Sequence, residues 1–249
     1  MRELNLVEDT KNQHFDKPSK QQSETTNGGT KEMLPQLPFV IAGGKNTERF
    51  YLEHISKITS YKFNIRPEYF GHESNYHKKF PGWIGTILKK NRGVKIFCLL
   101  DFDTIYNNEK NKINYIEFKE AIFEYTENGT VVLCLSMPCV EYWFLLHFEN
   151  TTELFRTNKA VVVPLLNYMK EYFSVNPNIS SNEFADKLKE KDFLKDQSWV
   201  EKLCSAGKLE TAITRAKENI ENAIKNNEKE NISYSYIYKL FDEYDISES

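Results

Sequence analysis

The sequence predicts an α/β protein in which a parallel-sheet core is flanked by helices and followed by a C-terminal helical extension. Between residues 37 and 138, short apolar runs alternate with amphipathic stretches of helical length. The central runs are apolar on both faces, which is typical of strands covered on both sides. After Pro138 the pattern is helical only. With 249 residues, 40% of them hydrophobic, the chain can bury a sizeable core.

The predicted strands and helices follow one another along the chain. "LPFVIAGG" is predicted to be a buried strand, and "NTERFYLEHISKITS" a helix with Asn46 or Thr47 as its N-cap. "KFNIRPEYFG" is a weaker strand, whose Pro67 indicates an edge position. The next stretch is predicted to be a helix broken around Pro81-Gly82. "VKIFCLLDFD" and "GTVVLCLSMP" are strongly apolar strands separated by the helix "INYIEFKEAIFEYTEN".

The composition divides the chain into three parts. Residues 1–34 are polar and lack apolar periodicity, so we expect a disordered tail there. Residues 35–140 form the predicted α/β core, and residues 141–249 form the helical extension packed on it. No apolar run has membrane-spanning length and no secretion signal opens the chain, so we expect a cytoplasmic protein without membrane contact.

Charge and cysteine content exclude some functions. The net charge of -3 argues against a constitutive, high-affinity polyanion binder, because neutralising phosphates requires clustered Lys and Arg. The four cysteines show no spacing typical of zinc and are interpreted as reduced residues.

Asp101 and Asp103 follow the apolar run Ile96–Leu100. In a strand, residues i and i+2 point the same way, so both carboxylates are predicted to project from one face at the carboxyl end of the strand. A hard cation such as Mg²⁺ would relieve their repulsion. Taken alone, the pair fits a solvated strand end as well as a metal site.

Two further motifs are predicted to reach the same edge of the sheet. "GGKNTE" ends the first strand with Gly43 and adds Lys45 near a helix N-terminus, a combination suited to phosphate or to an ordinary tight turn. "SMPCVEYWFLLHF" ends the last strand and places Glu141 in the first turn of a helix. Glu141 could be a site residue or complement the helix dipole. For His147 alone, we favour a packing role.

Read together, "GGKNTERFYLEHI", "LLDFD" and "SMPCVEYWFLLHF" resemble the RloB family, which includes the AbiLii-type abortive-infection proteins. The resemblance covers roughly residues 37–150 and continues more weakly through "AITRAKENIENA". It implies a Toprim-like core, the fold also found in topoisomerases, primases and OLD-type nucleases.

Toprim proteins pair a glutamate after the first strand with a DxD motif, and together these hold Mg²⁺ for phosphodiester chemistry. The resemblance maps the DxD onto Asp101 and Asp103, with Mg²⁺ or Mn²⁺ as cofactor. Gly43 stands where the leading glutamate is expected, and Glu48 matches the second acidic position. Three explanations stay open: Glu141 or Glu48 completes the site, the chain has lost catalysis, or the sequence is an inactivated variant.

The resemblance implies a nuclease effector of anti-phage defence. Asp101, Asp103 and Glu141 would hold the metal and Lys45 would stabilise phosphate charge. Weaker candidates for contacts with the nucleic acid, which are otherwise a solvated helix face, are His72, His77, Lys78 and Lys79. An ATPase encoded nearby is the expected partner, the substrate is DNA or RNA, tRNA included, and a homodimer is plausible.

Two other functions compete with the nuclease. The first is a catalytically inactive Toprim-like module that binds nucleic acid or the ATPase, which Gly43 favours. The second is a glycosyltransferase, because DxD also serves metal-bound nucleotide-sugar chemistry. The short core and the "SMPCVEYW" segment argue against the glycosyltransferase.

Overall fold

A computed structural model describes residues 36–43, 46–66, 76–106, 108–172 and 178–243. Within these ranges the chain forms a mixed α/β structure with a helical C-terminal region, as the sequence predicts. None of the helices in these ranges combines the length and apolar character that crossing a membrane requires.

One sheet organises the described residues. Its strands are β1 (Phe39–Ala42), β2 (Asn64–Arg66), β3 (Ile96–Asp101), β4 (Val131–Met137) and β5 (Tyr234–Ser235). The order across the sheet is β2-β1-β3-β4-β5, so the edge position expected for the second strand is confirmed. β1, β2, β3 and β4 are parallel to one another, and β5 is antiparallel to β4.

The register brings the carboxyl ends of three strands to one edge of the sheet. Ala42 of β1 is paired with Leu99 of β3, and Asp101 of β3 is paired with Ser136 of β4. Side chains that follow these strands therefore emerge close together, at the edge where open parallel sheets bind ligands.

Helices cover both faces of the sheet. Those before β4 are α1 (Thr47–Ile58), α2 (Tyr76–Lys90), α3 (Phe102–Tyr106), α4 (Glu109–Ala121) and α5 (Phe123–Glu127). Those after β4 are α6 (Val140–Leu146), α7 (Asn158–Tyr172), α8 (Ser181–Lys187), α9 (Lys191–Lys195), α10 (Ser198–Cys204), α11 (Lys208–Lys225) and α12 (Lys239–Asp242). Short 3-10 turns at Ser205–Gly207, Lys229–Asn231 and Tyr236–Tyr238 complete the described elements.

Alternating side chains of β3 build two separate hydrophobic cores. Phe97 and Leu99 pack on one side with α1 and with the helices that follow β4. Cys98 and Leu100 pack on the other side with α2 and α4. Because successive side chains of a strand point to opposite faces, an uninterrupted apolar run suits a strand buried on both faces.

Two details of the prediction are wrong. The helix predicted to break at Pro81-Gly82 continues as α2. Proline removes one helical hydrogen bond, and the buried side chains of Phe80, Ile84 and Ile87 fix α2 against the sheet on both sides of that position. The C-terminal region is not purely helical either, because it supplies β5. Two residues form this strand, which is too short for apolar alternation to reveal.

Candidate functional site

Asp101 is the central residue of a group of carboxylates at the carboxyl edge of the sheet. It ends β3, and its carboxylate accepts a hydrogen bond from the backbone of Val140. Burial raises the pKa of Asp101 well above its usual range, and the charges of Glu48, Glu141 and Asp103 raise it further. We call these four residues the acidic site.

Asp103 reaches the acidic site from a helix. It lies in the first turn of α3, because β3 ends at Asp101, so the predicted placement of both aspartates on one strand face is wrong. The Asp103 amide donates to the Pro138 carbonyl at 3.0 Å, which joins the start of α3 to the loop after β4. Burial raises the pKa of Asp103, and hydrogen bonds from Thr104 oppose this shift.

Glu141 enters the site from the first turn of α6 and is only 5% exposed. Burial raises its pKa, while hydrogen bonds from Cys139 and Asn158 favour the ionised form. The Asn158 amide also donates to the Cys139 sulfur at 3.5 Å. The first residue of α7 therefore helps to position Glu141.

Glu48 brings α1 into the acidic site. It is 4% exposed and lies one residue after the start of the helix. Its charge is, after burial, the largest influence on the pKa of Asp101. Glu48, the acidic residue of the "GGKNTE" motif, therefore lies near Asp101, the first aspartate of the DxD motif.

Gly43 packs closely against β3. Its amide donates to the Leu99 carbonyl at 3.0 Å. A Cβ atom added at Gly43 would lie 3.2 Å from Cδ2 of Leu100 and 3.3 Å from the Leu99 carbonyl oxygen. A glutamate at position 43 would therefore require the Leu100 side chain to shift.

Lys189 places a positive charge near Asp103, a role predicted for Lys45. Lys45 lies outside the described residues, as does His72. Lys189 follows α8, and its charge lowers the pKa of Asp103. No motif in the sequence distinguishes Lys189 from the other lysines around it, so only the tertiary structure reveals its position.

The segment that carries Lys189 is held by the N-terminus of α1. The Thr47 hydroxyl donates to the Leu188 carbonyl at 2.8 Å. The Asn46 side chain donates to the Lys189 carbonyl at 3.4 Å and makes no capping hydrogen bond to its own helix. Asn46 is the N-cap residue by position, as predicted, but its amide binds the neighbouring segment.

The remaining predicted candidates lie away from these contacts. His77, Lys78 and Lys79 belong to α2. Burial lowers the pKa of His77, and the charges that also shift this pKa come from Lys78, Glu117 and Lys110. None of the four acidic-site carboxylates is among those influences.

His147 belongs to a buried hydrogen-bonded chain. Its Nδ1 donates to the Trp143 carbonyl at 3.0 Å, and its Nε2 lies 3.5 Å from the Tyr51 hydroxyl. That hydroxyl accepts from the Trp143 indole at 2.9 Å. Burial lowers the pKa of His147 to about 3, so the ring is neutral. These contacts join α6 to α1 and give His147 a packing role.

The acidic site has the donor chemistry for a hard divalent cation. Carboxylate oxygens are preferred ligands of Mg²⁺, and bound positive charge would relieve the repulsion that raises the pKa of Asp101. Among the described residues, however, there is no group of three or more His, Cys, Asp or Glu side chains arranged to bind one metal ion. The residue types fit Mg²⁺ or Mn²⁺, although their side chains do not surround one point.

The comparisons with known proteins identify a family. The family model described as "RloB-like protein" matches residues 39–243. No curated protein and no solved structure matches the chain. The match covers α7 to α12 as well as the three motifs, and so extends well beyond the 37–150 region of the sequence resemblance. The chain belongs to the RloB-like protein family.

Proposed function

We propose that the chain is a Mg²⁺- or Mn²⁺-dependent, Toprim-like nuclease effector of anti-phage defence that works with an ATPase partner. The observation that carries this proposal is that Asp101, Asp103 and Glu141 come from three different elements at the carboxyl edge of a parallel sheet, where the charges of Asp103 and Glu141 raise the pKa of Asp101. Membership in the RloB-like family supports the biological setting.

Each acidic-site residue has a role in the proposed reaction. Asp101 and Asp103 would hold the cation, with Glu141 as a further direct or water-mediated ligand. The chemistry that a bound cation would supply is Lewis acidity toward the scissile phosphate and a lower pKa for a bound water. Lys189 stabilises phosphate charge from the side of Asp103, whose pKa it already lowers.

A second candidate function is a catalytically inactive module that binds nucleic acid or the ATPase. Gly43 favours it, because the glutamate expected at this position is missing and a side chain there would require Leu100 to shift. The lack of a ready-made group of three ligands in the described residues points the same way.

The decisive experiment is Mg²⁺- or Mn²⁺-dependent cleavage of DNA and RNA, with and without the neighbouring ATPase. Wild type is compared with Asp101→Asn and Gly43→Glu. Asp192→Asn is the matched control, because this exposed aspartate of α9 pairs with Lys195 and is not among the charges that shift the pKa of Asp101 or Asp103. We expect cleavage by wild type and Asp192→Asn, and only background cleavage by Asp101→Asn.

The outcomes separate the two functions. Cleavage by wild type means that Glu48 or Glu141 compensates for Gly43. Cleavage by Gly43→Glu alone means that this chain is an inactive form of a nuclease. Absence of cleavage by every variant supports the binding module.

Melting temperature gives an independent readout of metal binding, because a ligand that binds only the folded state stabilises it. Mg²⁺ should raise the melting temperature of wild type and leave that of Asp101→Asn unchanged.

A further inference from the structure

Aromatic rings adjoin the acidic site along α3. The rings of Phe102 and Tyr106 are stacked, with centroids 4.0 Å apart and planes 14° apart. Phe102 separates Asp101 from Asp103 in the chain and also meets Tyr234 of β5 edge-on at 6.4 Å. Phe102 and Tyr106 therefore lie in the same short segment, residues 101–106, as Asp101 and Asp103. The aromatic cluster consists of the rings of Phe102, Tyr106, Tyr115, Tyr234 and Tyr236.

Tyr106 is the solvent-accessible member of this cluster. It is 44% exposed, whereas Tyr115 and Tyr234 are 7% and 8% exposed. Tyr115 lies beside Tyr106 with a centroid separation of 6.4 Å. The half-buried Phe102 ring and the buried Tyr115 ring thus flank Tyr106 while a large part of its surface faces solvent, which is the arrangement required of a stacking surface.

Two lysines place positive charge next to the same cluster. The Lys229 ammonium lies 5.1 Å from the Tyr234 ring centroid and 5.0 Å from that of Tyr236. The Lys239 ammonium lies 5.4 Å from the Tyr236 centroid. Within the described ranges, neither lysine forms an ion pair with a carboxylate. Their charge is available to a phosphate.

A buried polar group, the Tyr76 hydroxyl, adjoins Tyr106. The Tyr76 hydroxyl is buried and has no hydrogen-bond partner among the described residues. The pKa of Tyr76 is raised to about 12, by burial first and then by Tyr106, which places the two side chains near each other. A buried hydroxyl therefore lies close to the exposed Tyr106 ring.

We propose that Tyr106 is a stacking surface for an unpaired base and that the acidic site therefore acts on single-stranded DNA or RNA. This inference rests on the proposed nuclease function. An aromatic ring can stack on any base, but bases inside a duplex are already stacked on their neighbours. Stacking also supplies affinity that a chain of net charge -3 cannot obtain from phosphate contacts alone.

The test is fluorescence anisotropy in EDTA, so that binding is measured without cleavage. The probes are labelled dT and rU single strands of about 16 nucleotides and a blunt duplex of similar length. Wild type is compared with Tyr106→Ala and with Tyr106→Phe, which keeps the ring. Phe123→Ala is the matched control, because Phe123 is 60% exposed and its helix α5 carries none of the acidic-site or cluster residues.

We expect Tyr106→Ala to weaken binding to single strands roughly 5- to 150-fold, as loss of one base stack does. Tyr106→Phe and Phe123→Ala should bind like wild type. The duplex should bind more weakly and be insensitive to Tyr106→Ala. The proposal would be overturned if Phe123→Ala lost as much affinity for single strands as Tyr106→Ala, or if wild type preferred the duplex. It would also be overturned if wild type bound no nucleic acid.

Salt dependence tests the lysines separately. Lys229→Gln should reduce the slope of log affinity against log salt concentration by about 0.7, the value for one phosphate contact on a single strand. An unchanged slope would contradict a phosphate contact by Lys229.

Binding and cleavage together distinguish this inference from the proposed function. If single strands bind through Tyr106 but no metal supports cleavage, the nuclease proposal fails and the stacking surface stands. If cleavage occurs and Tyr106→Ala changes neither affinity nor KM, the stacking surface fails and the nuclease stands.

Discussion

Asp101 shows at the scale of a single residue how the acidic site opposes stability. Asp101 ends a buried strand, and burial together with the charges of three other carboxylates makes its ionisation unfavourable. Carboxylates without a countercharge are expensive to bury, and proteins keep such groups mainly where function uses them. The hydrogen bond from Val140 only partly offsets this cost.

His147 makes the stability of the protein depend on pH. The folded protein keeps His147 neutral, with a pKa of about 3, whereas the unfolded chain takes up a proton near the ordinary value of 6.5. Its contribution to the free energy of unfolding is therefore present above pH 6.5 and is lost as the pH falls from 6.5 towards 3.

We expect His147→Asn to weaken this pH dependence. Below the unfolded-state pKa, the free energy of unfolding should fall with decreasing pH less steeply than in wild type, by up to about 1.4 kcal/mol per pH unit. Urea unfolding at a series of pH values below neutrality measures the difference. Parallel pH profiles for the two proteins would contradict a neutral, buried His147.

At the scale of elements, the acidic site depends on how the helical extension meets α1. The turn between α8 and α9 carries Lys189 and is anchored by the side chains of Asn46 and Thr47. α8 itself is fixed by a capping box in which Ser180 and Glu183 bond to each other's backbone amides. These local contacts hold the Lys189 side chain, which is distant in sequence, near Asp103.

Removing the Thr47 hydroxyl should loosen this connection. We expect Thr47→Val to lower the free energy of unfolding by about 1 kcal/mol, because the Leu188 carbonyl loses a buried hydrogen bond. Thr47→Ser keeps the hydroxyl and is the control. Urea unfolding of both variants measures the effect, and a Thr47→Val protein as stable as the serine variant would show that the contact is dispensable.

At the scale of the whole molecule, one hydrophobic core crosses the predicted boundary between core and extension. Val40 of β1 and Leu52 of α1 belong to the same cluster as Val162 of α7 and Leu203 of α10. Each fully buried aliphatic side chain contributes about 1.5–3 kcal/mol. A domain is stable by only about 5–15 kcal/mol in total, so neither part can lose this packing without consequence.

We therefore expect residues 35–249 to unfold in one transition, with coincident changes in far-UV circular dichroism and tryptophan fluorescence. A chain of residues 35–150 should fail to fold, because it exposes the face of α1 and α6 that the later helices cover. Cooperative unfolding of that shorter chain would contradict a shared core and would establish the 35–140 region as an independent domain.

The sequence by itself determined the parallel strands, most of the helices and three of the four acidic-site positions. Long apolar runs and helical periodicity are local signals, and a strand end in an α/β protein predicts a ligand-binding edge. The family resemblance added Glu48 as the counterpart of a known acidic position. These features depend on neighbouring residues in the chain and can be read without the fold.

Only the tertiary structure decided which distant residues meet. Lys189, Asn158 and Tyr234 come from segments with no distinctive local pattern, and β5 is two residues long. Pairing of β5 with β4 is supported by a buried hydrogen bond of 2.9 Å between Ser136 and Ser235, which lie 99 residues apart. Contacts of this kind depend on packing of the whole chain, and local propensity therefore cannot specify them.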